Sequence, residues 1–299
     1  MTVGPLRVRA YAKINLDLRV GSCGDDGYHQ LTTVLQSVLL HDTLTLRAVD
    51  GPCRVRCATV GVPLDRANLV WVAAAALWSA IGRRGEPGGA EVTIAKRIPA
   101  EAGLGGGTSD AVAALAALSR IWGVSPSPQC LREVAAEVGV DGPFFLVGGT
   151  ALGVGRGDTV YPLSEITPQW TLIVTPARGV PTALAYGWLD HDVDASAGAT
   201  ARARRVPPFA GPTLDWTALT NDLERPVMRR RREIRDATRA LRRHGAVVAA
   251  MTGSGSAVFG LFTSRARASR AAGAIARPDW QVIVTRTIDR GAIARDSRT

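Results

Sequence analysis

The sequence predicts an α+β protein with two domains, and two observations support this fold class. Segments typical of strands and of helices are mixed along the chain, but they do not alternate strictly as in a doubly wound parallel sheet. The chain has 299 residues, which is enough for two ordinary domains that each bury a core. A new series of elements begins near Pro162. We therefore predict an N-terminal domain over residues 1–161 and a C-terminal domain over residues 162–299.

Hydrophobic patterning, caps and breakers define the elements of the first half. In order, they are one or two strands at 6–20, a strand pair at 34–46, a helix at 67–81, a strand at 90–98, helices at 109–122 and 128–138, and a glycine-rich hairpin at 146–162. Asp65 is the predicted N-cap of the first helix, and Gly82 ends it. Ser127 followed by Pro128 is typical of a helix start.

The second half has the same mixed character. Its predicted elements are a strand at 170–174, a short helix at 181–189, a mobile loop at 191–212, helical structure at 221–243, strands at 246–251 and 257–262, a helix at 264–276 and a strand at 280–285. We expect Pro226 to break the helical segment. Leu223, Val227, Ile234 and Leu241 recur at helical spacing, which predicts a buried face and leaves the arginines opposite to it.

Composition excludes several classes of protein. The hydrophobic fraction of 46% and the charged fraction of 21% are ordinary for a globular protein. No stretch reaches the roughly 18 apolar residues of a membrane span, and the N-terminus lacks the apolar core of a signal peptide. The four cysteines match no zinc pattern. We therefore expect a cytoplasmic protein with reduced thiols.

The net charge of +10 has three candidate explanations: nucleic-acid binding, attraction of anionic metabolites, or a bias in composition. Of the 36 basic residues only Lys13 and Lys96 are lysines, a usage typical of a GC-rich genome. A lone lysine in a strand is usually a solvated edge residue. In an arginine-rich chain, however, a lysine indicates a position that needs a compact ammonium group.

The strongest chemical signal is a glycine-rich loop between a predicted strand and a predicted helix. Its residues are Pro99, Ala100, Glu101, Ala102, Gly103, Leu104, Gly105, Gly106, Gly107, Thr108 and Ser109. Glycines let backbone N–H groups approach an anion, and the following helix adds unpaired N–H groups and its dipole. Thr108 and Ser109 add hydroxyls for a phosphate oxygen or a metal-bound water. The expected ligand is a triphosphate, although the loop matches neither a P-loop nor the dinucleotide fingerprint.

Several motifs, in the expected order along the chain, resemble those of the GHMP small-molecule kinases. They are Ala12-Lys13-Ile14-Asn15-Leu16, Asp26-Gly27-Tyr28-His29, Gly103-Leu104-Gly105-Gly106-Gly107-Thr108-Ser109-Asp110-Ala111, Asn221-Asp222-Leu223-Glu224 and Met251-Thr252-Gly253-Ser254-Gly255-Ser256. The first, second and fourth resemble signatures of the branch that acts on a cytidine-diphosphate-linked methylerythritol. Two departures stand out. The loop begins with Ala100-Glu101-Ala102 in place of a more glycine-rich start, and Gly142 stands where that branch usually carries an apolar residue.

The resemblance implies an enzyme that uses ATP and Mg²⁺ to phosphorylate the 2-hydroxyl of this small-molecule substrate, in non-mevalonate isoprenoid synthesis. It implies an N-terminal domain like ribosomal protein S5 domain 2 and a ferredoxin-like C-terminal domain that closes the substrate cleft. It places the catalytic aspartate at Asp141, which on its own resembles a turn former before Pro143. Asp141 would accept the hydroxyl proton, and Lys13 would neutralise the γ-phosphate and keep Asp141 ionised.

The resemblance also implies a substrate site. Its residues would be Asn15, Tyr28, His29, Tyr186, Gly253, Ser254 and Gly255. Tyr28 would stack on the cytosine, His29 would form a hydrogen bond to it, and Tyr186 would cover its opposite face. The backbone N–H groups of 253–255 would approach the substrate's phosphates. No protein ligand for the metal is predicted, because Mg²⁺ would be bound mainly through ATP phosphates.

Two alternatives stay open at this point. One is another kinase of the superfamily that acts on a sugar, mevalonate or homoserine, against which the 26–29 motif argues. The other is a non-catalytic protein that binds ATP or nucleic acid through the segment 202–243, which carries twelve arginines and five acidic residues. Single-strand binding would favour aromatic residues among the arginines, and the segment 229–243 contains none. We therefore expect no nucleic-acid or membrane partner, and a monomer or weak homodimer.

Overall fold

Residues 4–25, 27–194, 216 and 218–296 are described by the computed structural model, and they form two sheets flanked by helices. The strands of the first sheet are β1 (Leu6–Cys23), β2 (His29–Pro52), β3 (Arg54–Cys57), β4 (Gly88–Ala95), β5 (Thr150–Gly155) and β6 (Thr159–Pro162). The order is β3-β4-β2-β5-β6, and β1 also pairs with β2. The long strand β2 therefore pairs with three strands of this sheet, β1, β4 and β5.

Four helices accompany this sheet. They are α1 (Leu69–Ala80), α2 (Gly106–Ile121), α3 (Pro128–Val138) and α4 (Gly142–Val147). Leu44 and Val92 from the sheet pack against Leu77 of α1 and Leu115 of α2 in one buried cluster. This cluster holds the start of α2, and with it the glycine-rich loop, at the end of β4.

The second sheet contains β7 (Trp170–Pro176), β8 (Val248–Met251), β9 (Val258–Phe262) and β10 (Trp280–Arg286) in the order β10-β7-β9-β8. Its strands are all antiparallel. The helices of this part are α5 (Thr182–Asp194), α6 (Glu224–Arg230), α7 (Arg232–Arg243), α8 (Arg265–Ile275) and the terminal α9 (Arg290–Asp296). Numbered within this sheet alone, the order is 4-1-3-2 with helical crossovers, which is the ferredoxin-like arrangement. The predicted α+β fold class is confirmed.

The two sheets share a buried cluster, so β1 is covered on both faces. Ile14 and Leu16 of β1 pack with Ile173 of β7 and Phe259 of β9. Every residue of β1 from Ala10 to Leu18 is buried as a result. Polar side chains within this stretch must therefore find partners inside the protein, because burial without a hydrogen bond is costly.

Several predicted element boundaries were wrong. The segment at 34–46, predicted as a strand pair, belongs to the single long strand β2, which continues through its pairing with β4 and β5. The segment at 6–20, predicted as one or two strands, forms the single strand β1, which extends to Cys23. The N-cap of α1 is Asn68, whose Oδ1 accepts the Val70 N–H at 2.9 Å; Asp65 caps only the preceding turn, accepting the Ala67 N–H at 3.0 Å. The hairpin begins at Thr150, because residues 142–147 form α4.

The helical segment at 221–243 is interrupted at Arg231 (φ −126°, ψ 90°), between α6 and α7, and not at Pro226. Pro226 lies in the first turn of α6, where its missing N–H leaves no hydrogen bond unmade. Leu223, Val227, Ile234 and Leu241 are buried, so the predicted apolar face is present. The short β3 and α9 were not predicted.

The predicted loop at 191–212 lies mostly outside the described residues, and so do Asp26 and the segment 202–215. Residues 191–194 form the last turn of α5. Within the described ranges, no helix combines the length and apolar character that crossing a bilayer requires.

Candidate active site

The glycine-rich loop connects β4 to α2 and contains three residues in the left-handed region. Glu101 has φ +51°, Gly103 has φ +76° and Gly105 has φ +71°. A Cβ on Gly103 would lie 2.5 Å from the carbonyl oxygen of Thr252, and a Cβ on Gly105 would lie 2.6 Å from Cζ of Phe145. Both positions therefore require glycine for conformation and for space.

The start of α2 is open to an anion. Gly105 occupies its N-cap, and no side chain of the described residues caps the helix. The first-turn N–H groups and the positive end of a 16-residue helix are thus available at the loop. The Ser109 hydroxyl is committed elsewhere, since it is buried and donates to the carbonyl oxygen of Tyr11 at 2.6 Å.

The other loop residues fall into two groups. Ala102 and Leu104 are buried, and their carbonyl oxygens accept hydrogen bonds from Ala257 N at 3.1 Å and Lys13 N at 3.0 Å. Only their backbone could therefore contact a nucleotide. Pro99, Ala100 and Glu101 line a cavity of about 430 Å³ against the second sheet. Thr108 is partly exposed, so its hydroxyl remains a candidate phosphate contact.

Lys13 projects from β1 beneath this loop, immediately after a register shift between Tyr11 and Ala12. Its Nζ lies 3.2 Å from Oδ2 of Asp141 and donates to Oδ1 of Asn15 at 2.8 Å. The Lys13 side chain is 6% exposed and the Asp141 side chain 32%. The structure thus brings together the two residues predicted to be catalytic, one buried and one facing solvent.

Asp141 stands at the N-cap of α4, where α3 and α4 meet. Its side chain forms no capping hydrogen bond to its own helix, which leaves the carboxylate directed at Lys13. Gly142 allows this close junction, because a Cβ there would lie 1.8 Å from the carbonyl oxygen of Ala135 in α3. Pro143 begins α4 rather than ending a helix. The unusual Gly142 thus has a steric explanation.

Two of the predicted nucleobase residues, His29 and Tyr186, contact each other. The His29 and Tyr186 rings are stacked with centroids 5.4 Å apart and an interplanar angle of 22°. His29 Nδ1 lies 3.1 Å from the carbonyl oxygen of Gly21, and Nε2 lies 3.2 Å from Oδ2 of Asp190. Burial, with a contribution from the charge of Asp141, raises the pKa of Tyr186 to about 12. Tyr186 therefore lies near the Lys13–Asp141 pair.

Tyr28 is 54% exposed, which suits a ring that is to receive a ligand. The Arg156 guanidinium lies over this ring, 4.1 Å from its centroid. Sequence reasoning missed both Arg156 and Asp190. Arg156 lies in the β5–β6 turn of an arginine-rich chain, and Asp190 lies in an ordinary helix, so neither carries a local signal.

The second glycine segment, residues 252–256, meets the first loop and is called the glycine turn below. A Cβ on Gly253 (φ +56°) would lie 3.4 Å from both Asn15 Oδ1 and the carbonyl oxygen of Gly103. Ser254 Oγ lies 3.0 Å from Thr182 Oγ1, at the start of α5. Gly255 also has positive φ, +90°. The turn therefore borders the cleft between Asn15 and α5.

Lys96, the second lysine, lies behind the loop. Its Nζ lies 2.5 Å from Asp42 Oδ2 and 2.7 Å from Asp110 Oδ2. It approaches α2 so closely that a Cβ on Gly106 would lie 3.4 Å from Nζ. Burial raises the pKa of Asp110 to about 7, although the Lys96 charge acts in the opposite direction. This ion-pair cluster supports the loop from inside the protein.

Models of the GHMP kinases match both parts of the chain: "GHMP kinases N terminal domain" over residues 68–149 and "GHMP kinases C terminal" over residues 214–278. A crystal structure of homoserine kinase from Cytophaga hutchinsonii has a similar fold, with a TM-score of 0.71 at 20% identity, covering 97% of this chain and 96% of the other. The glycine loop, the lysine–aspartate pair and the fold thus define a GHMP-type kinase.

Nearer relatives narrow this class. The 4-diphosphocytidyl-2-C-methyl-D-erythritol kinase of Pelotomaculum thermopropionicum is 39% identical over 283 residues, covering 94% of this chain and 97% of the relative. That of Gloeobacter violaceus is 37% identical, covering 98% of each chain. A crystal structure of 4-(cytidine 5'-diphospho)-2C-methyl-D-erythritol kinase matches with a TM-score of 0.76 at 32% identity, covering 94% of this chain and 99% of that one. The chain belongs to the 4-diphosphocytidyl-2-C-methyl-D-erythritol kinase family, which confirms the resemblance seen in its motifs.

Proposed function

We propose that the chain transfers the γ-phosphoryl group of ATP to the 2-hydroxyl of 4-diphosphocytidyl-2-C-methyl-D-erythritol, a step of non-mevalonate isoprenoid precursor synthesis. The observation that carries this proposal is the Lys13–Asp141 pair, 3.2 Å apart beneath a glycine loop at an uncapped helix start. The names of the relatives favour this acceptor over a sugar, mevalonate or homoserine. They also favour an enzyme over a non-catalytic binding protein.

In the transfer step, the substrate hydroxyl oxygen forms a bond to the γ-phosphorus while the bond to the β-phosphate oxygen breaks. Asp141 is positioned to take the hydroxyl proton, since its carboxylate is partly exposed and makes no cap to its own helix. Lys13 compensates charge on the moving phosphoryl group. ADP then leaves with the displaced charge on its β-phosphate.

The glycine loop and α2 supply the other interactions with ATP. The N–H groups at the start of α2 have no capping side chain and are available to an anion, and Gly103 and Gly105 let the loop pack closely against the Thr252 carbonyl and the Phe145 ring. Thr108 adds a hydroxyl, whereas Ser109 acts by fixing α2 to β1 through Tyr11. Ser109, whose hydroxyl was predicted to contact ATP, therefore supports the start of α2 instead.

The residues present fit a magnesium ion held mainly by ATP phosphates. The described residues contain no cluster of three or more His, Cys, Asp or Glu side chains that could hold a metal by themselves. The partly exposed Thr108 hydroxyl offers one oxygen donor of the kind that Mg²⁺ uses beside phosphates. When bound, the ion would neutralise phosphate charge during transfer.

The substrate's nucleotide end fits the aromatic corner of the cleft. Tyr28 offers an exposed ring backed by Arg156, and Tyr186 and His29 form a stacked pair beside it. Gly253 of the glycine turn lies against Asn15, the residue that accepts from Lys13, and Ser254 lies against Thr182 of α5. The Gly255 N–H, predicted to contact a phosphate, instead donates to the carbonyl oxygen of Thr252 at 3.0 Å. We assign base recognition to Tyr28, His29 and Tyr186, and phosphate contacts to the N–H groups of residues 253 and 254.

Three further expectations belong to this proposal. The domain boundary falls at 161/162, supported by the end of β6 at Pro162 and the start of β7 at Trp170. The enzyme acts in the cytoplasm, supported by four cysteines without disulfides. It works as a monomer or weak homodimer without nucleic acid.

A direct assay tests the proposal. The protein is incubated with ATP, Mg²⁺ and one acceptor at a time from a panel of 4-diphosphocytidyl-2-C-methyl-D-erythritol, mevalonate, homoserine and galactose. ADP release is followed, and ³¹P NMR identifies the product. We expect turnover with the cytidylyl acceptor alone and a new phosphomonoester signal on it. ADP release with another acceptor, or the absence of ADP release with every acceptor of the panel, would refute the proposal.

A further inference from the structure

Asn221 has a buried side chain at the point where β1 meets the glycine turn. Its Nδ2 donates to the carbonyl oxygens of Met251 and Gly253, both at 2.9 Å, and its Oδ1 accepts the Leu223 N–H at 3.0 Å. Both amide hydrogens and the amide oxygen are thus engaged, which determines the orientation of the amide. The two carbonyl groups would lose these donors if the side chain were removed.

The two carbonyl groups that Asn221 holds flank Thr252, and Thr252 connects to the catalytic lysine. Thr252 Oγ1 accepts the Asn15 N–H at 2.9 Å and lies 3.3 Å from Asn15 Oδ1. The same Oδ1 accepts from Lys13 Nζ at 2.8 Å. Asn221 is therefore connected to Thr252 through the backbone that it holds, and Thr252 is connected by hydrogen bonds to Asn15 and from there to Lys13.

The segment that carries Asn221 is itself fixed to β1. Leu18 N donates to Thr220 O at 2.8 Å, and Asp222 N donates to Leu18 O at 2.9 Å. Among the described residues, the side-chain hydrogen bonds of Asn221 are to residues 223, 251 and 253, and none is to the loop at 99–109. Asn221 therefore acts directly on the glycine turn, and it reaches the glycine-rich loop only through the packing of that turn against Gly103.

We propose that Asn221 is a positioning residue for phosphoryl transfer, an inference that rests on the function proposed above. It holds the backbone at 251–253 so that the N–H groups of the glycine turn face the acceptor's phosphates. Through Thr252 and Asn15 it also fixes the position of the Lys13 ammonium. Asn221 itself touches neither the acceptor nor ATP.

Asn221→Ala and Asn221→Asp test this role, with Asp222→Ala as the matched control. Asp222 is the next residue and holds β1 through the Val20 N–H at 2.9 Å, without contacting the glycine turn. For the Asn221 variants we expect the KM for the cytidylyl acceptor to rise, and kcat to fall, each about tenfold, while the KM for ATP changes less. Asp222→Ala should lose stability yet keep all three kinetic constants.

Hydrogen exchange gives a readout that does not depend on turnover. Amides of residues 252–257 should exchange faster in Asn221→Ala than in the parent and in Asp222→Ala. Parent-like acceptor KM, kcat and exchange in Asn221→Ala would overturn the inference, and so would equal losses in Asn221→Ala and Asp222→Ala. If the parent fails to phosphorylate the acceptor, the proposed function fails, and the exchange comparison still decides whether Asn221 holds the turn.

Discussion

The surroundings of the two lysines differ in the number and the exposure of the carboxylates that they pair with. Lys13 pairs with one carboxylate, Asp141, whose side chain is 32% exposed toward the cleft. Lys96 pairs with two carboxylates, Asp42 and Asp110, which are both buried. Both ammonium groups are largely buried, so burial does not distinguish them. The exposure of the carboxylate partner distinguishes them, because a carboxylate that is to receive a substrate proton must be accessible from the cleft.

The largest effect is expected at the Lys13–Asp141 pair. Lys13→Ala and Asp141→Asn should each lower kcat by roughly 10²–10⁴-fold, since one removes charge compensation and the other removes the proton acceptor. ADP release with the cytidylyl acceptor measures the loss, and circular dichroism checks that the fold is retained. Near-normal turnover in either folded variant would contradict the roles given to this pair.

A smaller but clear effect on stability is expected at Lys96. Lys96→Met leaves two buried carboxylates without their cation, which should lower the free energy of unfolding by about 3–5 kcal/mol. Lys13→Met is the matched control, because its carboxylate partner can be hydrated from the cleft. Urea unfolding of both variants measures the difference. Equal destabilisation by the two substitutions would remove the distinction between the lysines.

The smallest effect concerns pH. In the folded protein burial raises the pKa of Asp110 to about 7, whereas in the unfolded chain a carboxyl of this type titrates near 4. Between about pH 4 and pH 7 the folded state therefore binds more protons at this group than the unfolded state. Its contribution to the free energy of unfolding is complete below this window and declines as pH rises through it.

Asp110→Asn removes this titration. Urea unfolding of the parent and the variant at pH 5 and at pH 7 gives the comparison, in which other groups cancel. We expect the parent to lose more stability than Asp110→Asn when the pH is raised from 5 to 7. Identical pH dependence in the two proteins would show that Asp110 does not titrate in this range.

Local signals predicted much of the fold, and tertiary pairing accounts for most of the errors. The buried face of the 221–243 segment followed from helical spacing, and Ser127 is the cap that its pairing with Pro128 predicted. Strand lengths could not be predicted, because β2 extends as far as three partner strands hold it. Asp65 and Asn68 are both good caps, and only the final turn geometry selects Asn68.

The site shows the same division. The glycine loop was evident from composition alone, since its backbone geometry demands glycine at Gly103 and Gly105. Asp141 is far from Lys13 in sequence and carries no local mark, so only the resemblance to a family suggested it. Arg156 and Asp190 acquire their places beside Tyr28 and His29 through packing of separate elements. A single sequence offers no signal for such contacts.

The closeness of Gly103 to the Thr252 carbonyl, which leaves no room for a Cβ, has a consequence for biosynthesis. The segment that packs against Gly103 leaves the ribosome long after the loop itself. A nascent chain that ends before Thr252 therefore carries the glycine-rich loop without the carbonyl group that packs against it. The loop can reach its final packing only late in translation, when nearly all of the polypeptide is in place.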